Sequence, residues 1–375
     1  MFLPQLHMKI GIDARFFGSA SKGLGRYTEQ LVRNLETVES EHEFVIFMRK
    51  EDWNVWTPQN PRFSKQQANV SWYSLEEQTK LPGILRQASC DLLHFPHFNV
   101  PLLAPHSFVA TVHDLILSHF PTVKATTLGP ALYWFKNQMY KRVMHHTLHA
   151  SERIIAVSEY TKSDIVNTFH IPADKISVTY EGVDARILSD AGSPTMAWPD
   201  SFLLYVGNAY PHKNLERLID AFSHLQKRYQ RLHLILVGKH DFFYKRLIEY
   251  AKEKNVSRVL FPGFVPDSEL GNLYARAKAY VFPSLYEGFG LPPLEAMARR
   301  VPVICSKSSC LPEVARDAAL YFSPESRDDM IQAIEHVLDD PELRKALIKK
   351  GDAQCRRYSW QRMAEKTMRI YETVV

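Results

Sequence analysis

Residues 286–295 (YEGFGLPPLE) combine two carboxylates with residues that favour the start of a helix. The proline pair suits a first helical turn because its backbone angle is already set for that position. The two glycines let the backbone approach a ligand closely. A helix N-terminus binds phosphate through its amide groups and partial positive charge. With Glu287 before the helix and Glu295 in its first turns, the stretch predicts a site for a diphosphate with hydroxyl groups at both ends, as in a nucleotide-sugar.

Lys213 follows an apolar run at 202–207, which predicts a strand, and precedes a helix predicted from Leu215. At the start of a helix that follows a parallel strand, a lysine is placed to neutralise a departing diphosphate. The structural alternative is a solvated lysine whose neighbour Asn214 caps the helix. We favour the functional interpretation.

His113 and Asp114 follow the apolar run 108–112. Ligands of open parallel sheets bind beyond the carboxyl ends of the strands. We therefore favour a role for His113 as a donor to a hydroxyl group or a phosphate oxygen over a structural role. Asp114 either fixes the tautomer of this histidine or caps the segment that follows.

Gly23 and Gly25 lie after the first predicted strand and before a helix. The dinucleotide fingerprint needs a third glycine where Thr28 stands, and no acidic residue ends the second strand. A nicotinamide-dependent dehydrogenase is therefore disfavoured. Two interpretations stay open: a tight turn between strand and helix, or a flexible loop that lies against a phosphate or sugar.

Several histidines raise the question of a metal site. His145 and His149 share a face of a predicted helix, but no carboxylate partner or HExxH motif accompanies them, so we predict no metal. The loop 94–101, which contains His97, is predicted to form a wall of a ligand cleft. The four cysteines lack paired spacing and predict reduced thiols in a cytoplasmic protein.

The composition limits the classes of protein that fit the chain. Its 375 residues allow two domains, and its formal net charge of +5 is spread along the sequence. Nucleic acid is disfavoured, whereas an anionic small ligand or an anionic membrane surface fits this charge. No apolar run reaches the roughly 18 residues of a membrane span. No signal peptide is predicted, and Met8 is an alternative start to Met1.

Residues 132–149 mix aromatic with basic side chains. One interpretation is an interfacial helix that touches anionic lipid. The other is a core-facing helix with a basic outer side. Both stay open.

Short apolar runs alternate with helical patterns along the chain. This alternation predicts an α/β fold with parallel sheets covered on both faces. Strands are predicted at 9–12, 44–48, 91–94, 108–112, 153–157, 202–207, 233–237, 259–261, 279–282 and 301–305. Helices are predicted at 28–36, 215–226, 243–253 and 267–277, among others.

Residues 189–200 are rich in serine, proline, glycine and aspartate and predict a linker. The linker separates an N-terminal domain, residues 1–188, from a C-terminal domain, residues 201–360. We expect both to be doubly wound, Rossmann-like domains that face each other across a cleft. A terminal helix at 361–375 either stays with the second domain or crosses back to the first.

These motifs together resemble the retaining GT-B glycosyltransferases of family 4. Within that family, the chain resembles the bacterial mannosyltransferase-like group that builds O-antigen and capsular polysaccharides. The resemblance covers nearly the whole chain, and its most specific element is Glu287 and Glu295 with seven residues between them. The supporting motifs are GLGRY at 23–27, TVHDL at 111–115, AVSE at 156–159, EGVD at 181–184 and HKN at 212–214.

The resemblance implies a role for each matched residue around the donor. Glu295 would bond the ribose of the nucleotide, and Glu287 would face the hydroxyl groups of the donor sugar. Lys213 would hold the diphosphate, together with a set of residues at the start of the helix: Gly288, Phe289, Gly290 and Leu291.

Further residues complete the implied site. His113 would lie beside the donor sugar and the reaction centre, under a loop shaped by Gly23 and Gly25. The base would face the backbone of Phe264 and Val265. The acceptor side would include two more residues, His97 and Asp114.

The implied reaction moves a hexosyl unit, mannose from GDP-mannose, to a glycan or lipid-linked oligosaccharide with retention. No metal or other cofactor is expected, and association of residues 132–149 with the cytoplasmic face of the inner membrane stays one of the two interpretations of that segment. Asn208 departs from the family, since many relatives carry an arginine there that is paired with the lysine. A UDP-sugar donor and a non-catalytic nucleotide-sugar-binding protein are the alternatives.

Overall fold

The computed structural model describes residues 7–18, 22–105, 107–120, 130–188 and 197–374. The chain divides into two compact units. Among the described residues, unit 1 comprises 7–18, 22–105, 107–120, 130–181 and 359–374, and unit 2 comprises 182–188 and 197–358. Of the predicted linker 189–200, residues 189–196 lie outside the described part of the chain, so the linker stays a prediction.

Unit 1 is built on a parallel sheet. Its strands are β1 (Lys9–Asp13), β2 (Glu43–Met48), β3 (Phe63–Gln67), β4 (Leu92–Phe95), β5 (Phe108–Val112), β6 (Arg153–Ala156) and β7 (Ile176–Val178). Across the described residues the strand order is β3-β2-β1-β4-β5-β6-β7. This is the doubly wound order, in which the winding direction reverses between β1 and β4. Every residue of β5 is buried, as expected for a strand covered on both faces.

The helices of unit 1 cover this sheet. They are α1 (Lys22–Leu35), α2 (Leu75–Thr79), α3 (Leu81–Gln87), α4 (Ile116–His119), α5 (Pro130–Ala150), α6 (Glu159–Phe169) and α15 (Trp360–Glu372). The last of these comes from the end of the chain and belongs to unit 1. Its Tyr371 hydroxyl lies 2.5 Å from Nδ1 of His94 on β4, and its Trp360 ring meets the Tyr27 ring of α1 edge-on.

Unit 2 repeats the architecture. Its strands are β8 (Phe202–Val206), β9 (His233–Val237), β10 (Val259–Gly263), β11 (Ala279–Phe282), β12 (Val303–Ser306) and β13 (Ala319–Phe322). The described strands are parallel in the order β10-β9-β8-β11-β12-β13, so the reversal falls between β8 and β11. The helices are α7 (Ala185–Leu188), α8 (Leu215–Arg228), α9 (Phe242–Glu253), α10 (Asp267–Arg276), α11 (Leu291–Ala298), α12 (Leu311–Ala315), α13 (Arg327–Asp339) and α14 (Pro341–Cys355).

The predicted class, α/β with two doubly wound parallel sheets, is confirmed. Three strands were not predicted, β3, β7 and β13, and each lies at the edge of its sheet. The strand predicted at 301–305 begins two residues later, at Val303, and the helix predicted at 28–36 begins earlier, at Lys22. The latter difference places Gly23 and Gly25 inside α1 instead of in a loop before it.

Candidate active site

The candidate site of unit 2 lies where the winding of its sheet reverses. The neighbouring strands β8 and β11 run parallel, so their carboxyl ends meet at one edge of the sheet. After β8 the chain reaches a short 3₁₀ turn, Pro211–Lys213, before α8 begins. After β11 it passes through residues 283–290 and enters α11. The fold therefore brings together the two segments that the sequence singled out.

Lys213 and Glu287 form an ion pair at this edge. Nζ of Lys213 lies 2.6 Å from Oε1 of Glu287, and their side chains are only 12% and 10% exposed. The same two segments are joined through the backbone, because the Leu285 amide donates to the His212 carbonyl at 2.8 Å. Lys213 also lies over the ring of Phe282, with Nζ 5.8 Å from its centroid. A cation and a carboxylate are thus held in fixed positions where a ligand of this fold would bind.

Gly290 sets the start of α11. As the N-cap residue it has φ of 89°, a left-handed conformation that glycine adopts without strain. A Cβ at this position would lie 2.9 Å from Cδ2 of Leu311. Because Pro292 and Pro293 carry no amide hydrogen, the donors that this terminus presents belong to Leu291 and to the residues just before it.

Glu295 lies on the buried side of α11. Only 3% of the residue is exposed, and its Oε2 accepts a hydrogen bond from the Tyr274 hydroxyl at 3.0 Å. Tyr274 belongs to α10 and was not predicted as a site residue. Its hydroxyl group fixes one carboxylate oxygen of Glu295.

Three serine side chains at and after β12 hold the loop that carries Glu287. Ser309 accepts a hydrogen bond from the Glu287 amide at 2.9 Å. Ser306 donates to the Ser284 carbonyl, and Ser308 donates to the Leu285 carbonyl. The sequence analysis missed these residues. The available signal was a group of three serines at 306–309, directly after the strand predicted at 301–305.

Asn208 is part of the turn after β8. Its side-chain oxygen accepts from the Tyr210 amide at 3.3 Å, and its carbonyl accepts from the Tyr205 hydroxyl at 2.8 Å. The carbonyl of Gly207 accepts from the Tyr244 hydroxyl at 2.9 Å. Two buried tyrosines therefore hold the backbone of the segment that leads to Lys213.

His212 and Arg217 lie near Lys213 in sequence and are candidates to replace the arginine absent at position 208, but both have other roles in the structure. His212 is buried, and burial followed by the charge of Lys213 lowers its pKa to about 4, so it is neutral near pH 7. Arg217 donates to the side chain of Asn214 and to the Pro324 carbonyl, both at 2.7 Å. Asn214 is the N-cap residue of α8, as the structural alternative expected, and its side chain donates to the carbonyls of residues 283 and 324 instead of bonding an amide of the helix.

Phe264 and Val265 follow β10, an outer strand of unit 2. Phe264 is 73% exposed, whereas Val265 is buried. The strand β9 separates β10 from β8, so these residues do not adjoin the reversal point within the sheet.

In unit 1, His113 lies just beyond the carboxyl end of β5. Its Nε2 donates to the Pro96 carbonyl at 3.0 Å, and its Nδ1 lies 3.3 Å from Oε1 of Glu181. The ring of Tyr27 meets it edge-on at 4.6 Å. Asp114 accepts a hydrogen bond from the Ile116 amide at 2.9 Å, in the segment that follows it, and the carboxylate at Nδ1 of His113 is that of Glu181.

The other predicted residues of unit 1 lie in different settings. Gly23 and Gly25 lie in the first turn of α1, so they form neither the tight turn before the helix nor the flexible loop, the two interpretations left open by the sequence. His97 accepts from the Asn99 amide at 3.2 Å, and its Nε2 lies 3.4 Å from the Tyr73 hydroxyl. Burial, followed by the charge of His113, lowers the pKa of His97 to about 3.

The histidines of α5 and the apolarity of the helices bear on metal binding and on membranes. His145 and His149 stack on α5 with their ring centroids 3.8 Å apart. Within the described residues, no group of three or more histidine, cysteine, aspartate and glutamate side chains is arranged to hold a metal ion. None of the helices in the described ranges is long and apolar enough to cross a bilayer.

Comparison with known proteins defines the class. The family model described as Glycosyltransferase Family 4 matches residues 21–186, and the model described as Glycosyl transferases group 1 matches residues 197–354. The chain is 30% identical to the O-antigen chain mannosyltransferase B of Escherichia coli, over 93% of this chain and 96% of the relative. The protein is a glycosyltransferase with the GT-B fold, and the chain belongs to glycosyltransferase family 4.

Two other comparisons agree with this assignment. The O-antigen chain mannosyltransferase RfbU of Salmonella typhimurium strain LT2 is 27% identical, over 72% of this chain and 71% of the relative. The structure of HepE from Anabaena, solved in complex with UDP and glucose, superposes with a TM-score of 0.72 at 17% identity. That superposition covers 98% of this chain and all of the other, so the fold is shared over the whole length.

Proposed function

We propose that this glycosyltransferase moves a mannosyl unit from GDP-mannose to a hydroxyl group of a glycan or lipid-linked oligosaccharide. The observation that carries the proposal is the ion pair of Lys213 and Glu287. Glu287 lies three residues before Gly290, the N-cap of α11. Mannose as the transferred sugar is supported by the name of the Escherichia coli relative, which aligns with 93% of the chain.

The donor would bind at the reversal point of unit 2. Its diphosphate would accept hydrogen bonds from the amides of Phe289, Gly290 and Leu291. The positive charge of Lys213 would neutralise part of its negative charge. Its sugar hydroxyls would reach Glu287. A ribose hydroxyl would bond Glu295, whose other oxygen is already held by Tyr274.

Other donor contacts are carried over from the family resemblance. The base would lie against the backbone of Phe264 and Val265, and Gly288 would leave room for the diphosphate. In unit 1, His113 would act beside the donor sugar. The acceptor would contact His97 and Asp114.

The transfer step is a displacement on the face from which the diphosphate departs. The acceptor oxygen forms a bond to the anomeric carbon while the bond from that carbon to the diphosphate oxygen breaks. The bonding electron pair stays with the diphosphate, whose oxygen takes the proton of the acceptor hydroxyl. The products are a glycoside of retained configuration and GDP. Lys213 and the helix amides stabilise the negative charge that develops on the departing oxygen.

We propose further that no metal or other cofactor takes part. A positively charged lysine and the amides of a helix terminus supply the charge that Mg²⁺ provides in metal-dependent transferases. Turnover in the presence of EDTA should equal turnover without it. Loss of activity in EDTA, restored by Mg²⁺ or Mn²⁺, would contradict this part of the proposal.

We also propose that α5 associates with the cytoplasmic face of a membrane. Trp134 and Phe135 are 63% and 54% exposed, and Lys136, Lys141 and Arg142 are exposed on the same helix. Its second half packs into unit 1 through buried residues, Val143, Met144 and Leu148. An anchored helix that presents aromatic and basic side chains fits an anionic lipid surface.

Vesicle sedimentation tests this surface. Vesicles of phosphatidylglycerol and phosphatidylethanolamine should retain the protein, and vesicles of phosphatidylcholine should retain less of it. Replacing both aromatics, Trp134→Ser with Phe135→Ser, should weaken binding. The control is Phe242→Ser, which removes an aromatic that is 45% exposed on unit 2. Equal retention of all variants would contradict the assignment of α5.

Donor hydrolysis and transfer test the main proposal. The purified protein is incubated with GDP-mannose, UDP-glucose or UDP-galactose, with and without a mannose-terminated oligosaccharide, and release of nucleoside diphosphate is measured. We expect GDP release that the oligosaccharide accelerates. UDP release instead would establish the uridine alternative. Binding without release from any donor would favour a non-catalytic nucleotide-sugar-binding protein.

A further inference from the structure

Both ring nitrogens of His113 face oxygen atoms that accept hydrogen bonds. Nε2 lies 3.0 Å from the Pro96 carbonyl, and Nδ1 lies 3.3 Å from Oε1 of Glu181. A carbonyl oxygen has no hydrogen to give, so Nε2 must carry one. A carboxylate is likewise only an acceptor, so Nδ1 must carry one too. A ring with hydrogens on both nitrogens is a cation.

We propose that Glu181 is a positioning residue that keeps His113 as an imidazolium cation at the carboxyl end of β5. Glu181 follows β7 and is only 5% exposed, so its carboxylate needs a partner. The ring of Tyr27 closes the pocket edge-on, and the Thr161 hydroxyl donates to the His113 carbonyl at 3.3 Å. The ring is therefore fixed in both orientation and charge.

The charges around His113 come from several elements. The groups that face it are Glu181 after β7, Asp114 beside it, Tyr27 on α1, His94 on β4 and His97 after β4. His94 and His97 are neutral near pH 7, because burial and then the charge of His113 lower the pKa of each to about 3. Burial also raises the pKa of Tyr27 far above its ordinary value. The positive charge of this cluster therefore resides on His113.

Burial on its own would lower the pKa of His113. The hydrogen bond and the charge of Glu181 oppose burial, with smaller contributions from the Pro96 carbonyl and Asp114, and the pKa is raised above its ordinary value. Glu181 is the largest favourable contributor. Replacing its carboxylate by an amide keeps the shape of the side chain and an acceptor oxygen but removes the charge.

The consequence for chemistry rests on the proposed function. A cationic His113 supplies positive charge beside a phosphorylated substrate, and it does not accept a proton from the acceptor hydroxyl. Its contribution should disappear as the pH rises through its pKa. Glu181 sets the pH at which that happens.

Nitrogen-15 NMR of the histidine-labelled full chain tests the inference without any substrate. In the wild type, both His113 nitrogens should show imidazolium shifts at pH 7. In Glu181→Gln, the pKa of His113 should fall by about one unit or more, a roughly tenfold loss of the cation relative to the neutral ring at a given pH above that pKa. The control Glu152→Gln makes the same change at an exposed carboxylate and should leave the His113 titration unchanged. A neutral His113 in the wild type at pH 7, or an unchanged titration in Glu181→Gln, would overturn the inference.

A second readout connects the charge to turnover. For Glu181→Gln, kcat should fall with rising pH at least one pH unit earlier than for the wild type, while KM for the donor changes little. Equal pH profiles for the two proteins would overturn a role for this charge in turnover. Failure of the proposed function is distinguishable, because a protein that releases no nucleotide from any donor still reports the His113 titration by NMR.

Discussion

Lys213 and Glu287 are 74 residues apart in sequence, yet Nζ of the lysine lies 2.6 Å from Oε1 of the glutamate. They come from the segments after β8 and β11, the two strands between which the sheet of unit 2 reverses its winding. A diphosphate at the start of α11 would share the lysine with this carboxylate. The pair would then link recognition of the sugar to recognition of the diphosphate.

Replacing Lys213 with methionine should lower the turnover of the folded protein. Without the positive charge of Lys213, the departing diphosphate loses one preorganised partner. This loss corresponds to about 3 kcal/mol or a hundredfold or more in kcat. Steady-state release of GDP from GDP-mannose measures the effect. Lys227→Met, at an exposed position on α8, is the matched control and should keep wild-type kcat. Full activity of Lys213→Met would remove this residue from the mechanism.

A double-mutant cycle should show that the two side chains are coupled in stability. Lys213→Met and Glu287→Gln each leave a mostly buried partner unmatched, at a cost of about 3 kcal/mol in the free energy of unfolding. The double variant should lose about 1–3 kcal/mol less than the sum of the single losses. Urea unfolding of the four proteins gives this difference. Strictly additive losses would mean that the contact carries no coupling.

Ser309 should matter for turnover although it carries no charge. Its hydroxyl oxygen accepts a hydrogen bond from the Glu287 amide. Ser309→Ala therefore removes a bond that holds the loop carrying the Glu287 carboxylate. Loss of one such hydrogen bond is worth about 1 kcal/mol, and we expect kcat to fall by up to roughly tenfold. Ser223→Ala, which removes a hydroxyl that bonds the Asp220 carbonyl on α8, should leave kcat unchanged. Equal kcat in both variants would show that the loop needs no such support.

The strands that sequence predicted are those in the middle of each sheet, together with β10. Buried strands such as β5 and β8 are nearly continuous apolar runs, which identify them without an alignment. The edge strand β3, Phe63–Gln67, is mostly polar because only one of its sides is paired. A three-residue edge strand such as β7 gives too short a pattern to recognise.

In the candidate site, features formed by residues close in sequence could be predicted, and contacts between residues distant in sequence could not. Glu287, Glu295 and the glycines between them are close in sequence, so their chemistry could be inferred from spacing. The partner of the Glu287 amide lies 22 residues away, and the partner of the His113 ring lies 68 residues away. Those contacts depend on which loops adjoin at the edge of a sheet, and a single sequence does not contain that information in any local pattern.

Acid should destabilise unit 1 through His94. Burial, and then the charge of His113, lowers the pKa of His94 to about 3, so the unfolded chain takes up a proton at higher pH than the folded one. Its contribution to stability is therefore lost as the pH falls below about 6.5, by about 2 kcal/mol between pH 6.5 and pH 5. In urea unfolding, the stability of His94→Gln should fall less between pH 6.5 and pH 5 than that of the wild type. His145→Gln, which changes an exposed histidine, should lose as much stability as the wild type. Equal losses in all three proteins would contradict the assignment.

The most direct test of the central claim is a crystal structure of the protein with GDP-mannose or GDP bound. We expect the diphosphate at the N-terminus of α11, within hydrogen-bond distance of the Gly290 or Leu291 amide and of Nζ of Lys213, with Glu295 bonded to the ribose. A diphosphate bound at any other place in unit 2, or in unit 1, would contradict the account.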